Sequence, residues 1–274
     1  MSIVWFASYP KSGNTLLRLL MHAYVNRGSL DINSVAKTCY HDQDFMYWQM
    51  ATFKPLHKFT ERDFMFLRPA ALMNMVEHRA GGWEKKMLVK SHHANFAPEG
   101  IPMFPQGMTD RAVYLVRNPL DLVPSLAHHM GTSIDATIER INDKHYSIKR
   151  DNGLFHFLGT WSGHVQTWTN EDKFKVGVIK FEDLVQDTEA TFKKIIKFLD
   201  VTLEEDTVTK AAEACRFENL QRAEKEEGFI EASDRNEKFF RRGEVGSWRE
   251  ELTKEQANTI RKHHGPMMKK YGYA

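Results

Sequence analysis

Cysteine is almost absent from this 274-residue chain: only Cys39 and Cys215 occur, and they form no C-x-x-C pair. A disulfide framework and a thiolate metal site are therefore excluded. A dominant charge sign is missing as well, since 38 Lys+Arg face 36 Asp+Glu and leave a formal net charge of +2. Binding a long nucleic-acid duplex rests on many phosphate contacts, so this balance argues against a nucleic-acid partner and leaves room for a small anion in a local basic pocket. No apolar run reaches the roughly 18 to 20 residues of a membrane span. The best stretch, Leu16 to Val25, is broken by Arg18. The opening Ile3-Val4-Trp5-Phe6-Ala7 meets Ser8-Tyr9-Pro10-Lys11 before it is long enough for the core of a signal peptide. The expectation is a cytoplasmic protein without a membrane span. Internal repeats and low-complexity tracts are also missing, and 42% hydrophobic residues suffice for the core of one large domain or two small ones.

What is present is an alternation of short β-rich runs with helical periodicity. Strands are expected at Ile3 to Tyr9, Lys86 to Lys90, Arg111 to Val116 and Val176 to Phe181. Leu16 onward, Leu120 to His129 and Thr188 to Leu199 read as helices. This order predicts an α/β fold with a central parallel sheet covered on both faces. Such sheets bind ligands beyond the carboxyl ends of their strands, so the loops after Tyr9, Lys90, Val116 and Phe181 should share one rim. Residues 26 to 85, rich in aromatics and Met without a clean period, read as a helical, loop-rich insertion or lid. Residues 225 to 245 read as a long surface loop.

The first loop, Tyr9-Pro10-Lys11-Ser12-Gly13-Asn14-Thr15, lies between a buried strand and a helix. Backbone N–H groups at a helix N-terminus suit a phosphate; Lys11 adds a charge, and Ser12, Asn14 and Thr15 add donors. A plain N-cap turn has a similar composition. The loop is not the G-x-x-x-x-G-K-[ST] of an ATPase: Lys11 precedes Gly13, the first glycine is missing, and the third strand ends in Arg117 where such enzymes place a magnesium-holding Asp. A phosphate ligand without a bound metal is expected.

Y-P-K-S-G-N-T closely resembles the 5′-phosphosulfate loop of the sulfotransferases that use 3′-phosphoadenosine-5′-phosphosulfate (PAPS). The resemblance extends to Val116-Arg117-Asn118-Pro119-x-Asp121 with Ser125, similar to the family's 3′-phosphate motif, and to Arg241-Arg242-Gly243-x-x-Gly246-Ser247-Trp248 near the end. Between them, Gly159-Thr160-Trp161-x-x-His164-Val165-x-x-Trp168 and Phe181-Glu182-Asp183-Leu184 match further landmarks in order. Together they imply a single domain over residues 1–274 with a three-layer, P-loop-like fold, in which 26–85 is an insertion or lid and 225–245 a cofactor-binding loop. The overall look is closer to bacterial members.

The resemblance implies transfer of a sulfuryl group from PAPS, leaving adenosine 3′,5′-bisphosphate, to a hydroxyl or amine of a small-molecule acceptor, with no metal. Lys90-Ser91-His92 is similar to the family's K-T-H, which makes His92 the general base; a pKa of about 6.5 suits that role. His93 should point to the opposite face of an extended segment. Lys11 and Lys90 would hold the phosphosulfate end. Ser12, Gly13, Asn14 and Thr15 complete that loop, Arg117, Ser125, Arg242 and Gly243 would grip the 3′-phosphate, and Arg241 belongs to the same cofactor-binding set. Leu16 replaces the family's adenine-stacking Trp, so that stacking is either weaker or supplied elsewhere, with Phe217 the candidate, and Phe181 replaces a Tyr. The aromatics Tyr40, Phe45, Tyr47, Trp48, Phe53, Phe64 and Phe66 are candidates for an acceptor pocket or for core packing. His128 and His129 are candidates for the same pocket or for the surface. A dimer motif of the animal enzymes is not matched at Arg249 to Asn258. The alternatives are a P-loop kinase acting on a small metabolite and a catalytically silent nucleotide-binding protein.

Overall fold

The structure is a computed structural model and describes residues 2–78, 86–232 and 238–273. Seven strands run in chain order as β1 (Ser2–Ser8), β2 (Cys39–His41), β3 (Lys86–Ser91), β4 (Thr109–Val116), β5 (Ser147–Lys149), β6 (Phe155–Phe157) and β7 (Lys175–Lys180). The helices are α1 (Asn14–Val25), α2 (Phe45–Met50), α3 (Glu61–His78), α4 (Pro119–Met130), α5 (Ile134–Asn142), α6 (Trp161–Thr169), α7 (Phe181–Gln186), α8 (Thr188–Phe198), α9 (Glu205–Ala214), α10 (Phe217–Glu227), α11 (Trp248–Glu251) and α12 (Lys254–Lys270). Five strands form one sheet in the order β2-β3-β1-β4-β7, and every pairing in it is parallel. β5 and β6 make a separate antiparallel hairpin.

The two-residue period of β1 explains the layering. Ile3, Trp5 and Ala7 face a core built with Phe64, Leu72, Val123, Trp161, Trp168 and Ile260, drawn from α3, α4, α6 and α12. Val4 and Phe6 face the opposite core with Leu17, Leu20, Phe192, Ile195, Val208 and Ala211 from α1, α8 and α9. A strand buried on both faces must be apolar throughout, as residues 3–7 are. The expected α/β architecture is therefore present, with β1 central and the carboxyl ends of β1, β3, β4 and β7 along one rim.

The insertion differs from its expected form. Residues 39–41 add β2 as an edge strand on β3, so this segment is part of the sheet as well as a helical cover. Three residues, Cys-Tyr-His, are too few to display a period, and the strand exists because β3 offers it partners. Of the candidate pocket aromatics, Tyr47, Trp48 and Phe64 are buried in the core and Phe45, Phe53 and Phe66 are exposed. Residues 79–85 of that stretch lie outside the described residues. The 225–245 segment also departs from a plain surface loop: α10 continues to Glu227, and Phe229 and Phe240 are buried against each other and Phe239. Residues 233–237 of that cofactor-loop reading lie outside the described residues.

A buried ion pair within the insertion is hydrogen-bonded to the end of β3. Asp42, fully buried beyond β2, accepts hydrogen bonds from Arg68 Nη2 of α3 at 2.9 Å and from Ser91 Oγ at the end of β3 at 2.6 Å. Arg68 Nε donates to the Met103 carbonyl at 2.8 Å. Removing one partner strands a buried charge. Asp42→Ala is expected to cost about 3–5 kcal/mol, whereas the double change Asp42→Leu with Arg68→Met recovers most of it. Urea-unfolding midpoints of the two variants check this, and equal midpoints would contradict it.

Candidate active site

A cavity of about 830 Å³ opens along the rim. The chain turns into it at Lys11, whose backbone takes φ 65°, and at Gly13, φ 94°. A Cβ at Gly13 would stand 2.6 Å from the Phe181 ring, so glycine is required there for fit as well as for conformation. α1 then starts at Asn14 with its N-terminus toward the cavity. The Lys11 carbonyl accepts from Arg117 Nη1 at 2.7 Å, and the Arg117 guanidinium lies 4.3 Å over the Phe181 ring. Arg117 is buried, and its Nε has no partner among the described residues.

Lys11, Gly13, Asn14, Thr15, Lys90, His92, Arg117, Ser125, Phe181, Phe217, Arg241, Arg242 and Gly243 all line this one cavity. Two expected donors do not serve it. Ser12 is fully buried away from the lining, with no partner for its hydroxyl among the described residues. Asn14 lines the cavity, but its amide is used within the fold. Nδ2 donates to the Phe6 carbonyl at 2.8 Å, and Oδ1 accepts from Arg18 Nε at 3.1 Å. Because the loop must turn sharply, the Asn14 amide is consumed in holding the turn. None of the seven candidate aromatics of the insertion lines the cavity; His41 is its contribution. His129 lines the wall, whereas His128 is exposed outside it.

Cations dominate the site's electrostatics. Burial, with Arg117 and Lys90 nearby, brings the Lys11 ammonium down to about 8; burial, with Arg18 nearby, does the same for Lys90. Lys11 Nζ rests 4.3 Å over the Phe239 ring. The sequence offered no sign that Glu231 enters this cleft. It pairs with Arg18 Nη2 at 2.6 Å and accepts from the Thr15 hydroxyl at 3.2 Å. Burial pushes the Glu231 carboxyl up, but Lys90 and Arg18 outweigh it and hold the group below the usual carboxylate range. Arg241 forms a two-pronged pair with Glu251, and Arg242 reaches Glu250 at 3.1 Å. Gly243 at φ 64° packs so close to Phe217 that a Cβ would stand 2.5 Å from the ring.

His92 and His93 point apart. His93 is fully buried, its Nδ1 accepting the Phe157 N–H at 3.1 Å. His92 Nδ1 lies 2.9 Å from the Ser8 carbonyl, which only accepts, so that nitrogen carries the proton and Nε2 keeps its lone pair. Burial, then Lys90, holds the His92 pKa well below 6.5 and the ring neutral. The landmark residues of α6 hold this segment by its carbonyls: His164 Nε2 donates to the His92 oxygen at 3.1 Å and Trp168 Nε1 to that of His93 at 2.9 Å. The sequence marked those two positions without revealing their work. Together the groups can bind a polyanion and take up one proton.

A family model described as "Sulfotransferase domain" matches residues 2–272. "Cytosolic sulfotransferase 12" of Arabidopsis thaliana is 27% identical over 267 residues, which cover 92% of this chain and 72% of that protein. "Luciferin sulfotransferase" of Photinus pyralis is 24% identical, covering 91% and 67%. Among solved structures, retinol dehydratase in complex with androsterone and the inactive cofactor PAP aligns with a TM-score of 0.65 at 20% identity, covering 97% of this chain and 80% of that one. A mouse sulfotransferase complexed with PAP aligns with a TM-score of 0.60 at 19% identity, covering 98% and 85%. These likenesses show the P-loop-like fold. Among the described residues no group of His, Cys, Asp and Glu could hold a metal ion, and no helix is long and apolar enough to cross a membrane.

The lysine values set a pH test. Both ammoniums are charged below about 8 and lose the proton above it. Affinity for a bisphosphate nucleotide should be flat from pH 6 to 7 and weaken from 8 to 9.5, by up to about tenfold per unit for each lysine that must stay charged. Calorimetric titration with adenosine 3′,5′-bisphosphate reads this; a flat profile would remove both lysines from the anion contact.

Proposed function

The chain belongs to the sulfotransferase family, and from that premise we propose that it moves a sulfuryl group from PAPS to a hydroxyl or amine of a small-molecule acceptor, with His92 as general base. The donor, when bound, supplies a sulfuryl group already activated as a mixed anhydride with phosphate. The observation that carries the reading is the state of His92: a neutral ring beside Lys90 on the cavity wall, its proton committed to the Ser8 carbonyl at Nδ1 and its Nε2 left to accept another.

The residues suit the donor's two ends. Lys11, Lys90 and the N-terminus of α1 meet the phosphosulfate end, where charge builds on leaving and transferring oxygens. Arg117, Ser125, Arg241, Arg242 and Gly243 meet the 3′-phosphate; the buried, half-used Arg117 is the observation that favours an anion there. Phe181 and Phe217 offer ring faces beside the glycines that give them room. Leu16, where the family places Trp, lines the same cavity and leaves adenine stacking to Phe217. An anion seated between Lys11 and Lys90 offsets Lys90, which after burial is what lowers the His92 pKa, so the base strengthens as the site fills. The acceptor's proton passes to His92 Nε2 while the Ser8 carbonyl holds the ring in place, and the acceptor oxygen or nitrogen bonds sulfur as the bond from sulfur to the phosphate oxygen breaks.

Two substitutions test this. His92→Ala should lower transfer by about 10²- to 10⁴-fold and leave the affinity for adenosine 3′,5′-bisphosphate unchanged. Retained turnover would take the base role from His92. Arg242→Ala should weaken adenosine 3′,5′-bisphosphate by about 1.5–3 kcal/mol and hardly affect adenosine 5′-phosphate. Equal weakening of the two ligands in calorimetry would show that Arg242 does not read the 3′-phosphate.

A further inference from the structure

The end of the cavity beyond His92 has its own chemistry. Its wall is His41 at the close of β2, Lys90 on β3, His92 just past the end of β3, and Ile148, Arg150 and His156 on the β5–β6 hairpin and its turn. Three imidazoles and two cations stand there with a single aliphatic side chain; the lining carboxylate that faces Lys90, Glu231, is paired with Arg18. A site for a purely apolar acceptor would not be lined this way, since burying polar groups without partners is costly. His156 sharpens the point: it is 7% exposed, lines the cavity, and its Nδ1 has no partner among the described residues.

The donors at the far end are arranged for an acid. His41 Nδ1 accepts the backbone N–H of Gln43 at 3.0 Å. Asp42 Oδ1 lies 3.2 Å from the same nitrogen, which the Gln43 N–H already occupies. Burial, outweighing Asp42, brings the His41 pKa down to about 4, so the ring is neutral and its one proton sits on Nε2. That Nε2–H faces Arg150 Nη1 at 3.4 Å. Two donors meeting in this way give each other nothing; a carboxylate oxygen satisfies both. Among the described residues Arg150 has no carboxylate partner, unlike Arg18, Arg68, Arg241 and Arg242. The ring contacts His92–His156 and His156–His41, each 5.8 Å between centroids, lead from the base to this corner.

We propose that the acceptor is a hydroxylated carboxylic acid whose carboxylate seats between the Arg150 guanidinium and His41 Nε2–H while its hydroxyl lies at His92. This rests on the sulfuryl-transfer reading only for the fate of the hydroxyl; the acid-binding corner stands on its own donors. A charge-assisted pair to a planar guanidinium favours an acid over its neutral isostere. Arg150 is thus a specificity residue, and the acceptor's length is set by the reach from His92 to the hairpin turn.

A chain-length series tests it: 4-hydroxyphenyl acetate, propanoate and butanoate, written as the free acids' anions, with the primary amide of each. Binding is measured by calorimetry in the presence of adenosine 3′,5′-bisphosphate, and turnover is measured with PAPS. At least one acid should exceed its amide about tenfold in affinity and in kcat/KM. Arg150→Ala should erase the ratio through KM, and Arg150→Lys should keep part of it. Acids and amides binding alike at every length, or a preference that survives Arg150→Ala, overturns the proposal. His92→Ala should keep the binding preference without transfer. A preference in binding with no sulfation of any compound by the unaltered protein would instead defeat the reaction reading and leave the acid site standing.

Discussion

Asp42 is a carboxylate sealed from water, and its two hydrogen bonds to Arg68 and Ser91 tie together three elements that the chain order keeps far apart. An ionised group in that position is tolerable only while its partners remain, so β2, α3 and the end of β3 are held as one piece. His92 follows Ser91 directly. Its place is therefore set from below by this pair, from one side by the Ser8 carbonyl and from the other by His164. His92 and the cavity wall at His41 are supported by the same buried charge.

The cofactor half obeys a different constraint. Lys11, Lys90, Arg18 and Arg117 would repel one another if gathered without compensation. The protein gathers them by partial burial, with carboxylates beside them. Glu231 pairs with Arg18, Glu182 accepts from the Asn118 N–H behind Arg117, and Asp121 accepts from the Gly246 and Trp248 N–H groups to bring the C-terminal loop onto α4. The lysine pKa values are lowered by burial first and by that repulsion second.

Much of this was readable before the fold was known. β1, β3, β4 and β7 are apolar runs of ordinary strand length, and their periods announce them within a residue or two. The residues proposed to grip phosphate occur in compact motifs because a tight loop needs its glycine and its charges within a few positions. What escaped reading is what depends on distant partners. β2 has no period of its own. Phe64 and Trp48 are indistinguishable in sequence from pocket residues, and they stack on each other in the core. Ser12 and Asn14 look like ligand donors, yet one hydroxyl is buried and the other side chain is bonded to Phe6 and Arg18. Glu231, His41, His156 and Arg150 carry no local signature at all.

The sequence by itself determined the layered α/β fold, the anion loop after β1 and the family, because each of these is written in short-range spacing: strand and helix periods, and motifs only a few residues long. Only the tertiary structure decided which way His92 and His93 face, which tautomer His92 keeps, and that Arg150 stands opposite His41 on the cavity wall. Those outcomes depend on hydrogen bonds and burial between residues tens to more than a hundred positions apart, and such contacts leave no pattern along the chain.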